Sequence, residues 1–252
     1  MDTGLTGRVV LVTGATGGIG LATARAFAAE GAKVALTHRD SAAAAAVLVK
    51  EFGPERAMAV RYSLAEPESA EAAFAEITER WGRVDVLVAN AYHRTGRRAP
   101  GHRFEDVAAS EWQATLTDNL AATIRLCQLV LPGMREAGWG RIVLLSSHVV
   151  SHGRRGQETY AAAKGGLHGF ARSLAWEAGE EGVLVNVVAP GLTRTEAVLA
   201  KLPEALREQE RSRTATGRLS EPEDVASAVV FAGSAANRNI SGQVLEVSGG
   251  RS

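Results

Sequence analysis

The sequence predicts an α/β fold: a doubly wound, seven-stranded parallel sheet with helices on both faces, in a single domain spanning 1–252. Three observations lead there. Short, nearly continuous apolar runs rich in β-branched residues alternate with longer amphipathic stretches. No fixed-period repeat and no Pro/Ser linker divides the chain. At 252 residues, with 46% hydrophobic and 22% charged side chains, the composition is that of an ordinary globular protein with a large core.

The predicted strands are 8–12, 33–37, 57–62, 84–89, 141–146, 183–189 and 244–247. Each lacks the in–out alternation of a half-exposed strand, as expected when both faces are buried. The predicted helices are 18–29, 41–52, 67–81, 110–135, 160–178 and 221–232. The second starts at Asp40 and Ser41, both good N-cap residues, and contains the alanine tract Ala42–Ala46, a strong helix former. Strand–helix alternation implies right-handed crossovers and ligand sites beyond the carboxyl ends of the strands. Two segments fit no regular element. Residues 93–104 carry four Arg, two His and two Gly, and 191–217 contain a short helical piece around 196–210. Both are candidates for substrate loops, the second as a lid.

Lys+Arg and Asp+Glu both number 28, so the formal net charge is zero. A binder of nucleic acid or of an anionic membrane carries a basic surplus, and neither partner is expected. Any phosphate must be recognised locally. The single cysteine, Cys127, reads as a core residue, and no Cys/His cluster has metal-ligand spacing, so no metal is expected. No signal peptide and no run of ~18 apolar residues is visible, so a cytoplasmic protein is expected.

The first strand runs into Thr13-Gly14-Ala15-Thr16-Gly17-Gly18-Ile19-Gly20 and then a helix. Glycines there let the backbone turn sharply and approach a pyrophosphate, and the helix offers unpaired N–H groups and a positive dipole end. The second strand ends Thr37-His38-Arg39-Asp40. No carboxylate sits at the strand end itself, and Arg39 follows His38 closely. Arg matches a ribose 2′-phosphate, which favours NADP(H) over NAD(H). Asn90, ending the fourth strand, either braces the central strands or faces the adenosine.

Tyr160 and Lys164 lie four residues apart at the start of a predicted helix and so share one face. A cation beside a phenol favours phenolate, and such a phenol can exchange a proton with an oxygen undergoing hydride transfer. Ser146-Ser147 ends the strand that feeds the same helix. Asn119 stands inside a predicted helix, where Asn is a poor residue, so it marks either a special role or simple exposure.

These residues together resemble the classical short-chain dehydrogenase/reductase family over essentially the whole chain. The matching features are the TGxxxGxG turn at 13–20, Asn90, Asn119, Ser147, the YxxxK pair Tyr160 and Lys164, and Pro190-Gly191 followed by Thr195. Ser147, thirteen residues before Tyr160, fits the family spacing better than Ser146. The resemblance implies a Rossmann-like fold and a catalytic tetrad: Tyr160 as general acid or base, Lys164 lowering its pKa and holding the nicotinamide ribose, Ser147 polarising the substrate oxygen, Asn119 holding a relay water. It implies pyrophosphate contacts from Gly14, Thr16, Gly17, Gly18, Ile19 and Gly20. Adenosine-side contacts would come from His38, Arg39, Ser63, Leu64 and Asn90. A nicotinamide pocket would be lined by Val188, Pro190, Gly191, Thr193 and Thr195.

The texture is nearest to 3-oxoacyl-carrier-protein reductases and polyketide ketoreductases. That implies a small carbonyl or alcohol substrate, free or bound to a carrier protein or CoA, and a homotetramer or homodimer built on the helices 110–135 and 160–178. Arg125 matches a carrier-docking Arg, but the second docking Arg is Trp176. Ser63, Tyr92 and Ser248 replace the family's Asp, Gly and Asp. Residues 148–159 hold two His and two Arg and either pass a polar part of the substrate or are merely solvated. The expected activity is NADP(H)-dependent ketone reduction. The alternatives are an NAD-dependent alcohol dehydrogenase working oxidatively and a catalytically silent dinucleotide-binding regulator.

Overall fold

Seven parallel strands form one sheet in the order β3-β2-β1-β4-β5-β6-β7. A computed structural model describes residues 2–93, 98 and 101–251. The strands are β1 (Val9–Val12), β2 (Lys33–His38), β3 (Ala57–Arg61), β4 (Val86–Ala89), β5 (Gly140–Leu145), β6 (Val183–Pro190) and β7 (Val244–Val247). The helices are α1 (Gly18–Ala29), α2 (Ala42–Phe52), α3 (Glu68–Trp81), α4 (Ala109–Leu116), α5 (Ala122–Glu136), α6 (Val149–His152), α7 (Glu158–Ala178), α8 (Glu196–Lys201), α9 (Glu204–Arg211) and α10 (Pro222–Ala232). This is a Rossmann-like, doubly wound fold.

Both faces of the sheet are covered, and the β1 side chains divide between them. Val9 and Leu11 join one apolar cluster with Leu87, Ile142 and Val185. Val10 and Val12 join another with Val86 and Val143. That division is why the strand sequences read as unbroken apolar runs. Cys127 lies inside the first cluster, and burial pushes its thiol up to about 12. β1 pairs with β2 on one side and β4 on the other, so strand order reverses there and opens a crevice at their carboxyl ends.

Three expectations need correction. The predicted helix 110–135 is broken: α4 and α5 are joined by a π-helical turn, Thr117–Ala121, with Asp118 and Asn119 buried in it. Their polar side chains bond the backbone and side chain of His93, and the wider turn aims them there. Asp40 does not cap α2; Ser41 holds that position without a side-chain cap bond, and Asp40 takes the Arg39 guanidinium at 2.5 Å instead. The helical piece expected around 196–210 is two helices, α8 and α9, interrupted at Leu202 and Pro203.

Candidate active site

The glycine turn leaves β1 at the sheet's reversal point. Gly14 and Gly18 have φ of +64° and +53°, a region that side chains disfavour. A Cβ on Gly20 would sit 2.1 Å from the Gly14 carbonyl oxygen, so only glycine lets α1 pack so close under the turn. α1 opens at Gly17 with no acidic residue in its first turn and no side-chain cap. Thr16 and Ile19 are half-buried beside it. Thr195 reaches the turn from the far side: a Cβ on Gly18 would meet its Cγ2 at 3.1 Å. Its hydroxyl also accepts from the Val198 N–H and caps α8. The Thr193 hydroxyl donates to the Gly191 carbonyl at 3.1 Å, and Gly191 packs against Ser248, where a Cβ would lie 3.0 Å from its Cα. The Pro190 carbonyl accepts from the His148 N–H.

Asn90 braces the strands, one of its two expected placements. Its Nδ2 donates to the carbonyls of Thr13 and Gly14 at 2.9 and 3.3 Å. Its backbone N–H donates to the Thr13 hydroxyl. At the end of β2, His38 Nδ1 is buried without a partner. Arg39 is exposed and ion-paired with Asp40. Arg61, not among the sequence candidates, lies close to the same charges: both oxygens of Glu66 hold its guanidinium at 2.7 Å and raise its pKa most, and Asp40 adds to the rise. Ser63 is buried, its N–H donating to the Ser69 hydroxyl, and Leu64 packs against the core. Val188, expected along the nicotinamide pocket, is instead wholly buried in the second apolar cluster. A glycine cradle that a Cβ would fill, an uncapped helix start and an orphaned imidazole nitrogen together fit a dinucleotide.

Tyr160 and Lys164 project from the first turns of α7. The Ser147 side chain interacts with the Tyr160 phenol and favours its ionised form, while Ser146 turns away and bonds the Lys164 carbonyl and His168 Nε2. Burial pushes the Tyr160 phenol up to about 12, opposed by Ser147 and reinforced by Tyr92. Lys164 was expected to lower that value. Here its ammonium is itself fully buried, is drawn down to about 8, and donates to the Leu145 carbonyl at 2.7 Å.

Tyr92 packs on Tyr160 with ring centroids 5.4 Å apart, and Lys164 Nζ lies 5.8 Å from the Tyr92 ring centre. Asn119 does not point a free amide into the cleft. Its Oδ1 accepts from the His93 N–H at 2.8 Å, and its Nδ2 donates to the carbonyls of His93 and Thr115 at 3.0 Å. The neighbouring Asp118 carboxylate meets His93 Nδ1 at 2.5 Å. The π-turn therefore anchors the chain that leaves β4.

A cleft of about 520 Å³ opens beside Tyr160, lined by Tyr92, His93, Arg98, Trp112 and Gln157 among others. Segments 93–104, through His93 and Arg98, and 148–159, through Gln157, thus both contribute; residues 94–97, 99 and 100 lie outside the described residues. Sequence reasoning flagged these segments for their His and Arg residues and did not name Gln157. Their charge density was legible; which side chain turns inward was not. Among the described residues no helix is long and apolar enough to cross a membrane.

The family model for Enoyl-(Acyl carrier protein) reductase matches residues 14–252. The 3-oxoacyl-[acyl-carrier-protein] reductase FabG of Vibrio cholerae is 38% identical over 98% of both chains. The short-chain reductase protein NovJ of Streptomyces niveus is 36% identical over 96% of this chain and 93% of that one. A solved structure from Agrobacterium tumefaciens, provisionally named a gluconate dehydrogenase, superposes with a TM-score of 0.91 at 28% identity, covering 100% of this chain and 98% of that chain.

Proposed function

The chain belongs to the short-chain dehydrogenase/reductase family of oxidoreductases, and from that premise we propose that it is an NADP(H)-dependent ketoreductase with Tyr160 as its proton donor. The observation that carries this reading is the Tyr160 phenol, which lines the cleft and interacts with the Ser147 side chain. When bound, the nicotinamide supplies the hydride. Tyr160 is held as a neutral phenol, the form that donates a proton to a developing alkoxide, and an alkoxide is far more basic than a phenolate. Ser147 lies within hydrogen-bonding reach of the same hydroxyl and donates to the carbonyl oxygen. Lys164, fixed on Leu145, sets the positive charge under the pair. Asn119 positions the chain after β4 rather than touching substrate. Gly14, Thr16, Gly17, Gly18, Ile19 and Gly20 hold the pyrophosphate. Pro190, Gly191, Thr193 and Thr195 flank the nicotinamide. His38, Arg39, Ser63 and Leu64 take the adenosine side, while Asn90 braces the strands beneath the glycine turn.

The NAD-dependent oxidative reading is retained for one reason: Asp40 already engages Arg39, and a carboxylate there suits a ribose 2′-hydroxyl. Residues 191–217, through α8 and α9, form the lid. A homodimer or homotetramer would be expected to cover the α7 surface, where Trp176 is 89% exposed; light scattering tests it. Delivery by a carrier protein draws support from the names of relatives, but Arg125 is tied to Glu71 at 2.6 Å. The deciding experiment is NADPH oxidation over β-ketoacyl thioesters, cyclic and aromatic ketones, and sugars. Turnover of a ketone class supports the reading; binding of NADPH with no turnover supports the silent regulator instead.

A further inference from the structure

Three consecutive residues at the end of β5 engage one stripe of α7. The Leu145 carbonyl accepts from the Lys164 ammonium at 2.7 Å. The Ser146 hydroxyl donates to the Lys164 carbonyl at 3.1 Å and meets His168 Nε2 at 2.8 Å. The Ser147 side chain interacts with the Tyr160 phenol. Tyr160, Lys164 and His168 follow one another at four-residue intervals, so they share a face of the helix. The first and last of these grips belong to the site described above. The middle one, Ser146 with His168, reaches one helical turn behind it.

Ser146 is buried, and its backbone N–H donates to the Val188 carbonyl at 2.8 Å. Thus β6 fixes its main chain while α7 fixes its side chain. A hydroxyl has one hydrogen to give. Ser146 gives it to the Lys164 carbonyl, which can only accept, so His168 donates from Nε2. Burial, followed by Arg172, holds the His168 imidazole below its usual range, and Glu246 of β7 opposes them. A neutral imidazole keeps a single N–H, and Ser146 places it on Nε2. The bonds run in series from the His168 N–H through the Ser146 hydroxyl to the Lys164 carbonyl. A buried polar chain whose bonds are all made rigidifies the elements it joins.

The consequence falls on the reacting groups. Ser146 stands between Leu145, which holds the Lys164 ammonium, and Ser147, which meets Tyr160. Any slip of the end of β5 along α7 would move both grips at once. Reacting atoms tolerate little error, since a displacement of ~1 Å costs about 10²-fold in rate. We propose that His168 is a positioning residue: through Ser146 it sets the register of the end of β5 against α7, and with it the joint approach of Ser147 and Tyr160 to one substrate oxygen. The inference rests on the ketoreductase reading and adds to it a residue that acts through another.

The test is the single-turnover rate of NADPH oxidation with a ketone that the unaltered protein reduces. Ser146→Ala and His168→Leu should each slow that step about 10–100-fold, with KM and NADPH affinity held within a factor of about three. The double variant carrying both changes should be no slower than the slower single one, because either change breaks the same chain. His168→Gln, whose amide can donate to Ser146, should recover most of the rate. Ser146→Ala removes one oxygen only, so it decides the matter where His168→Leu does not fold. Unaltered rates in the single variants overturn the inference and leave the ketoreductase reading standing. So do losses that multiply in the double variant, a His168→Gln protein as slow as His168→Leu, or a rate loss matched by an equal loss of NADPH affinity. If the unaltered protein reduces no ketone of the classes named above, the ketoreductase reading falls and the inference with it.

Discussion

The ring of Tyr92 lies against that of Tyr160, centroids 5.4 Å apart and planes inclined by 59°. A tilted aromatic pair of this kind contributes about 0.5–1.5 kcal/mol beyond the area it buries. Tyr92 also stands near the Lys164 ammonium. It therefore fixes one side of the Tyr160 phenol. Tyr92→Ala should lower stability by about 0.5–1.5 kcal/mol in urea unfolding and reduce kcat/KM by about tenfold, while Tyr92→Phe keeps both near the starting values. Identical kinetics in the Ala variant would show that the ring only fills space.

Burial of Lys164 has a pH signature. Its ammonium drops from 10.5 to about 8 in the folded protein. Between those values the unfolded chain holds a proton that the folded protein has lost, so stability rises with pH across the window. The penalty for burying the charge is fully present below about pH 8 and is relieved as pH climbs toward 10.5. A shift of this size corresponds to about 3 kcal/mol. Tyr160 works the other way, but only from 10 to about 12. Cys127 and Tyr62, also pushed up by burial, oppose the rise in any variant that keeps them. The quantity to read is therefore the difference between the unaltered protein and Lys164→Met in urea unfolding from pH 8 to 10. The unaltered protein should gain on the variant over that range; parallel curves would place the ammonium in water.

Cofactor choice turns on the Arg39–Asp40 pair. If the guanidinium holds a 2′-phosphate, Arg39→Ala should weaken NADPH binding about 10–100-fold, the size of a lost charge-assisted hydrogen bond, and leave NADH nearly unchanged. Asp40→Ala frees Arg39 and should strengthen the preference for NADPH. Loss of NADH binding in the Asp40 variant would favour the NAD(H) reading. Fluorescence titration of each dinucleotide decides between them.

Asn119 supports the chain leaving β4 through bonds to both the N–H and the carbonyl of His93. Asn119→Ala should cost about 1–3 kcal/mol and raise KM more than it lowers kcat, because the cleft wall loses its anchor. A large fall in kcat at unchanged KM would point instead to a direct part in proton relay.

Much of this was legible in the sequence, and the reasons differ by element. The β1–glycine–α1 passage announces itself because the strand, the turn and the helix are contiguous and each glycine meets a steric demand. Tyr160 and Lys164 were placed together by helix periodicity alone. The π-turn was hidden: its only trace was an Asn where a helix resists one, and the cause lies in contacts to a residue 26 positions earlier. The packing of Tyr92 on Tyr160 joins the end of β4 to the start of α7, and no local pattern encodes it. The direction of the Tyr160 shift was misjudged for the same reason, since proximity of a cation is local and burial is not.

Replacing one oxygen tests the central claim most directly. Tyr160→Phe removes the hydroxyl that interacts with Ser147 and leaves the ring that packs on Tyr92. With a ketone that the unaltered protein reduces, turnover should fall about 10²–10⁴-fold while NADPH affinity stays within a factor of about three. Turnover that persists in the phenylalanine protein would take the proton donor elsewhere and contradict the account.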